Sequence, residues 1–305
     1  MSPDELERVR WKGEATYRVL SYYFGVRWNS APIGDYVRSV LEPFAVPPDP
    51  REQRNPPTPG TPPTYFLVDR RVSDGARYRL LYGDDRAFAT MIQSPQRADI
   101  LQHLFWNINS ESTRRTGDLL LIHAGAVLTP AGDGLLLPAP SGSGKTTLVA
   151  GLVRQGFGYL SDEAGAIDPV TGRLHPYPKA LALKGAPSEL FPELKAGNGR
   201  RDLLPGIWHV RAQDIRPGSV GGPSEVRFVV APRYRRGART ELSSMSRAAG
   251  VVELGDNTMN LLFYRSRALT LLARVVARAR CYRLEFGDLV EGVQAIERLT
   301  RGRPR

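Results

Sequence analysis

Cysteine is almost missing from this chain: Cys281 is the one example in 305 residues. A lone thiol excludes an internal disulfide and suits a reducing compartment. Also lacking is any apolar run approaching the roughly 20 residues that cross a bilayer. The longest stretches, Leu119 to Leu128 interrupted by His123 and Leu135 to Ala139, stop well short. Met1 to Arg10 is charged and has no apolar signal core, so the expected location is the cytoplasm, with no membrane partner. Lysine is scarce too. Of 42 basic residues against 31 acidic ones, five are lysine, and the arginines are scattered rather than gathered into one run. A net charge of +11 would otherwise suggest nucleic acid, but this dispersion argues against it. The densest group, Arg233, Arg235, Arg236 and Arg239 beside Pro232 and Gly237, reads as a solvated loop.

What is present is enough apolar residue, 41%, to bury a core in one large domain or two smaller ones. Ala15 to Trp28 is rich in aromatic and β-branched residues and reads as a strand. Asp35 to Phe44 follows it with helical spacing at Val37, Val40, Leu41 and Phe44. Eight of the seventeen positions from Pro47 to Pro63 are proline, which removes backbone donors and predicts an extended surface loop. Strands are expected at Tyr65 to Asp69 and Arg77 to Tyr82, flanking a Ser73-Asp74-Gly75 turn, and a helix at Ala98 to Ile108. Residues 1–116 therefore read as a small α+β domain with a Pro-rich loop at 47–63.

Residues 117–305 form a second region. LLLIHAGAVLT predicts a strand, Pro130 to Gly134 a hairpin turn, and LLLPA a second strand. A helix follows that Gly156 should end, then a short strand Gly158 to Ser161 closing on Asp162 and Glu163. Ala166 to Leu174 folds back around Pro169 to Gly172, and Val226 to Ala231 reads as another strand. Asn257 to Arg280 reads as one long helix with Leu269, Leu272, Val276 and Ala279 on its buried face.

The chemistry is concentrated in Ala139-Pro-Ser-Gly-Ser-Gly144-Lys145-Thr146, which has Walker A spacing with alanine in place of the first glycine. A strand before it and a helix after it supply the required context. Gly142 and Gly144 let consecutive N–H groups turn inward on phosphate oxygens without an obstructing Cβ. Ser141, Gly142, Ser143, Gly144, Lys145, Thr146 and Thr147 are accordingly the expected nucleotide-binding residues. Lys145 reaches the β and γ phosphates, and the Thr146 hydroxyl ligates Mg²⁺. Asp162 and Glu163 follow Lys145 by 17 and 18 residues, after the loop's helix and one short strand. Two carboxylates there suit one Mg²⁺ contact and one general base. Arg200 and Arg201 are candidates for an acceptor or phosphate pocket. His103, His175 and His209 share no metal-ligand spacing with one another or with Cys281.

A histidine before the loop hairpin, PSGSGKTTL, and a strand ending in Ser161-Asp162-Glu163 together resemble the catalytic domain of HPr kinase/phosphorylase and its relatives. The resemblance covers about Leu119 to Leu183. It implies an α/β P-loop kinase domain, similar also to phosphoenolpyruvate carboxykinase, that uses ATP and Mg²⁺ to phosphorylate a serine hydroxyl on a peptide or protein. It pairs His123 with Asp162 as the catalytic base, sets Glu163 as a Mg²⁺ contact where a second aspartate is usual, and implies a homo-oligomer. No counterpart of the family's C-terminal signature is found, which argues against phosphorolysis and against HPr as acceptor. Relatives without those parts act in peptide natural-product pathways, including lasso-peptide tailoring. ATP is the expected nucleotide, and nothing in the sequence selects it over GTP. Two other readings compete: a nucleotide-gated regulatory module, and a kinase of a small-molecule alcohol.

Overall fold

The computed structural model describes residues 3–47, 62–70, 77–83, 87–185, 187–195 and 203–301. Contacts divide the chain into two units. The first is Met1–Arg115 with Lys184–Trp208, and the second is Thr116–Leu183 with His209–Arg305. The first break falls where the sequence predicts a boundary, whereas Lys184–Trp208 groups with the first unit rather than with the region that encloses it. The architecture is mixed α/β. Among the described residues no helix is long and apolar enough to cross a membrane.

In the first unit, α1 (Pro3–Glu7) precedes β1 (Gly13–Val19) and β2 (Tyr22–Trp28), then α2 (Ala31–Leu41) and β3 (Ala45–Val46). Strands β4 (Thr64–Asp69), β5 (Tyr78–Gly83) and β6 (Phe88–Ser94) and the helix α3 (Arg97–Arg115) complete it. The expected single strand over Ala15 to Trp28 is instead an antiparallel hairpin pairing Val19 with Tyr22. Its turn holds Leu20 at φ 53°, a left-handed conformation that leucine seldom takes, so no Gly or Asn marks it in the sequence. Six strands pair in the order β3-β1-β2-β4-β5-β6. Alternation along β4 and β5 puts Phe66, Val68 and Leu81 against Leu6 of α1. α2 buries Val37, Val40 and Leu41, and α3 buries Ile100, Leu101, Leu104 and Ile108. The Ser73–Gly75 turn and most of the Pro-rich loop lie outside the described residues.

The second unit is built on β7 (Leu120–Leu128), β8 (Gly134–Pro138), α4 (Lys145–Arg154), β9 (Gly158–Ser161), β10 (Ala164–Ile167) and β11 (Arg173–His175). The chain continues through β12 (Leu181–Lys184), passes through α5 (Pro187–Leu190) of the first unit, and returns by β13 (Ile207–Val210) to α6 (Ala212–Ile215). It then forms β14 (Ser224–Tyr234), β15 (Glu241–Met245), α7 (Arg247–Asp256), α8 (Leu261–Tyr264), α9 (Ser266–Ala277), β16 (Arg280–Phe286) and α10 (Leu289–Arg301). The main sheet runs β11-β10-β7-β8-β14-β16-β15, and a further β11 to β14 pairing closes five of its strands into a ring. β8, β14 and β16 are mutually parallel neighbours. Every residue of β8 is buried, as expected of a parallel strand covered on both faces. α7 and α9 pack Leu254, Leu271, Leu272, Val275 and Val276 onto the core that contains Ile122, Leu136 and Val229. α4 contacts β7 and α10. Gly125 of β7 permits that approach, because a Cβ there would stand 2.6 Å from Val149 of α4.

The long helix expected over Asn257 to Arg280 is broken, and its last residue already belongs to β16. The reason lies in β7. β8 pairs with β7 from Ala124 onward, which leaves the Leu121–His123 edge without that neighbour. Residues 257–260 supply one. The His123 amide donates to the Asn257 carbonyl at 2.7 Å, and the Met259 amide donates to the Leu121 carbonyl at 2.8 Å. The Asn260 side chain, itself buried, accepts from the Leu121 amide at 2.9 Å and donates to the carbonyls of Thr116 and Leu119. Satisfying buried peptide groups outweighs the helical preference of the segment. One helical turn, α8, follows at Leu261–Tyr264, and the longer helix α9 starts at Ser266, after Arg265 at φ 46°. Its buried face is Ala268, Leu271, Leu272, Val275 and Val276, so Leu269, expected inside, is instead 61% exposed.

Replacing Asn260 by alanine strips three hydrogen bonds from this buried edge. Asn260→Ala should lower unfolding free energy by at least about 2 kcal/mol, measured by urea denaturation. A loss below about 0.5 kcal/mol would mean that the backbone bridges hold the segment without it.

Candidate functional site

The hairpin of β7 and β8 delivers the chain to Ser141, and the loop Ser141–Gly144 then turns it into α4. Both loop glycines take left-handed conformations, Gly142 at φ 85° and Gly144 at φ 83°. Gly144 is the residue preceding α4, and the helix begins at Lys145 with Thr146 and Thr147 in its first turn. Its first amides therefore lack intrahelical partners and carry the positive end of the helix dipole. The Ser143 hydroxyl is buried with no hydrogen-bond partner. Such an orphan is a buried polar group that an acceptor brought to the loop would satisfy.

Lys145 turns back from α4 toward β7. Its ammonium donates to the Ala139 carbonyl at 2.8 Å and lies 3.0 Å from His123 Nε2. With the lysine protonated, that nitrogen is the acceptor, which leaves the His123 proton on Nδ1. Burial lowers both groups. It depresses the Lys145 pKa to about 8, against the pull of the Glu163 and Asp162 carboxylates, and lowers His123 with help from the Lys145 charge.

The carboxylates reach the same place along the other edge of β7. β9 and β10 both run antiparallel to that edge, Ser161 opposite Ala126 and Ala164 opposite His123, with Asp162 and Glu163 between them. The Ser161 hydroxyl accepts from the amides of Glu163 (3.1 Å) and Ala164 (3.0 Å), which fixes this short break in the strand. Asp162 is 2% exposed and lies 3.2 Å from the Tyr159 hydroxyl, whose shorter bond, at 2.7 Å, is donated to the Lys179 carbonyl, whereas the Glu163 side chain is more open.

Lys179 joins the pair and was not singled out by sequence reasoning. Its ammonium stands 3.5 Å from Asp162 Oδ1 and 3.4 Å from Glu163 Oε2. Burial disfavours this charge, but the two carboxylates outweigh burial and hold the lysine above its ordinary pKa. His209 is lowered to about 4 by burial and by the Lys179 charge, so it stays neutral at pH 7. The signal available in the sequence was weak: Lys179 is one of the few lysines, but it sits 16 residues beyond Glu163 in a proline-flanked stretch with no motif.

The structure thus brings together His123, Lys145, Asp162 and Glu163, with Ser141, Gly142, Ser143, Gly144, Thr146 and Thr147 around the start of α4. Arg200 and Arg201 lie outside the described residues. Among the described residues no three His, Cys, Asp or Glu side chains form a metal-binding group by themselves. The residue set still suits Mg²⁺, which is commonly held by one or two carboxylates, a hydroxyl and the substrate's own phosphates. Thr146 and Glu163 are the side chains that would hold it. No family model matches the chain, and no curated protein matches it.

Two measurements probe this cluster. In the unliganded protein Lys145 is charged below about pH 8 and loses its proton above it. Inorganic tripolyphosphate should therefore bind more weakly as pH rises through about 8, and Lys145→Arg should flatten that fall, since guanidinium stays charged. A wild-type curve level from pH 7 to 9.5 would contradict the depressed lysine. Lys179→Met removes the counter-charge of a buried carboxylate and should destabilise the fold by about 3 kcal/mol, with part of the loss restored when Asp162→Asn is added. Purely additive losses in urea unfolding would show that Lys179 does not serve the carboxylates.

Proposed function

We propose that this chain is an ATP- and Mg²⁺-dependent phosphotransferase of the HPr-kinase-like P-loop type, acting on a serine hydroxyl of a peptide or protein. The observation that carries this reading is the meeting of Lys145 with His123 beside Asp162 and Glu163, within a single cluster. A phosphate loop alone would suit a nucleotide-gated switch. Carboxylates beside the loop lysine also suit transfer, because an attacking hydroxyl must surrender a proton as the new bond forms.

In this reading the loop amides and Lys145 hold the β and γ phosphoryl groups and offset the charge that shifts onto the β–γ bridging oxygen. Mg²⁺, when bound, would supply further charge neutralisation on those oxygens. The serine oxygen attacks the γ phosphorus, the bond to the bridging oxygen breaks, and ADP departs. The serine proton passes to Asp162. The Tyr159 hydroxyl and the Lys179 ammonium both lie against Oδ1 of that residue and hold the carboxylate in place. Lys179 also keeps the carboxylate pair from repelling each other. His123 holds Lys145 in place until phosphate oxygens take over the ammonium.

The test is transfer of labelled γ-phosphate to serine peptides, including those encoded beside the gene, with Mg²⁺ present. Asp162→Asn should leave ATP affinity within a few-fold while single-turnover transfer falls by roughly 10²-fold or more. Transfer at the wild-type rate would remove the base assignment. Lost nucleotide binding would move Asp162 to the metal, and labelling of a small alcohol but no peptide would replace the acceptor class.

A further inference from the structure

The phosphate loop sits at the end of β8, and β7 and β14 flank that strand on opposite sides. All the groups suited to the reacting phosphate lie toward β7: His123 on that strand, and Asp162 and Glu163 along its far edge. A nucleotide whose terminal phosphate points to β7 must send its nucleoside the other way, over the ends of β14 and β16. Those strands run parallel to β8, so their carboxyl ends open on the same side as the loop, the usual position for ligands of parallel sheets.

β14 ends there in Tyr234, whose side chain is 45% exposed. Single exposed aromatics are ordinary, but this one is fastened to the loop. Its amide donates to the Ser143 carbonyl at 3.1 Å, and the next amide, of Arg235, donates to the Phe286 carbonyl. The ring meets the buried Phe286 ring edge-on, with centroids 5.6 Å apart. Gly144 lies so near that a Cβ there would stand 2.9 Å from the Tyr234 Cβ. The Arg235 guanidinium pairs with Glu285 at 3.1 Å, which fixes the chain beyond the tyrosine. An aromatic face held in place in this way can stack on a planar ligand with little loss of side-chain entropy.

We infer that Tyr234 is the nucleobase platform of this site, the surface on which the base of a nucleoside triphosphate stacks while its phosphates occupy the loop. The inference rests on the phosphate-binding reading of Ser141–Thr147 and extends it to the other end of the ligand. Stacking tolerates any base with an exposed π face, so the platform supplies affinity for a nucleotide over bare phosphate rather than a choice between ATP and GTP.

Two ligands separate the platform from the loop: Mg²⁺-ATP, which has a base, and inorganic tripolyphosphate, which does not. Both are titrated by calorimetry into the wild-type chain, Tyr234→Ala and Tyr234→Phe. Tyr234→Ala should weaken ATP by roughly 5- to 100-fold, the range for losing one base-to-aromatic stack, with tripolyphosphate unchanged. Tyr234→Phe should bind both as wild type does. Unchanged tripolyphosphate affinity also reports that the loop has kept its fold in the alanine variant. Equal weakening of both ligands would make Tyr234 a prop for the loop and overturn the platform, as would ATP binding that the alanine variant leaves intact. Wild-type protein that holds tripolyphosphate as tightly as ATP would overturn the platform while leaving the loop standing. If neither ligand binds, the phosphate-loop reading fails and the platform falls with it.

Discussion

Strand β7 is paired along both edges by four segments of the second unit, and the site depends on how that pairing is shared. One edge takes residues 257–260 and then β8, and the other takes β10 and then β9. Because a strand's hydrogen bonds fix register to a single residue, the loop at the end of β8 and the carboxylates between β9 and β10 are set against each other by the same rigid backbone. Neither has to be placed by a long flexible connection. Gly125, in the middle of the strand, allows α4 close enough for Lys145 to reach His123.

Electrostatics then decides which charges the cluster can keep. Two lysines and two carboxylates gather in a largely buried volume, where an unpaired ion would cost several kcal/mol. The two cations respond in opposite directions. Lys179 stands between the carboxylates and is held protonated, whereas Lys145 faces a neutral histidine and a carbonyl and is pushed down toward about 8. A lysine that is easily discharged when empty gains most from an anionic ligand, which raises its proton affinity again. The cluster therefore combines a permanent internal counter-ion, Lys179, with a cation, Lys145, that an anionic ligand would hold charged.

Much of this was legible in the sequence. Glycines at fixed spacing before a lysine, between an apolar strand and a helix, specify a loop conformation that few other residues allow, and Gly142 and Gly144 adopt it. The Ser161-Asp162-Glu163 run marked the carboxylates, since a short apolar strand ending in acidic residues leaves them at a strand terminus. Helix periodicity located α3, the glycine-rich loop and Gly156 bounded α4, and turn residues located the hairpin of β7 and β8. Periodicity misread Asn257 to Arg280 because it registers apolar spacing and cannot register a neighbouring strand whose amides lack partners. For the same reason it put Leu269 inside.

By itself the sequence determined the local conformations: those that glycine, proline, helical spacing or alternating apolar residues impose over a few neighbouring positions. It also determined the chemical types present in the site. Only the tertiary structure decided which distant groups share a space. Lys179 joins Asp162 and Glu163, Asn260 closes the edge of β7, and Tyr234 lies against Gly144 because strands far apart in the chain pair in one sheet. Local preference acts through bonded neighbours and is written residue by residue. Proximity between distant segments is set by burial and hydrogen-bond satisfaction over the whole unit, and no short window of sequence contains it.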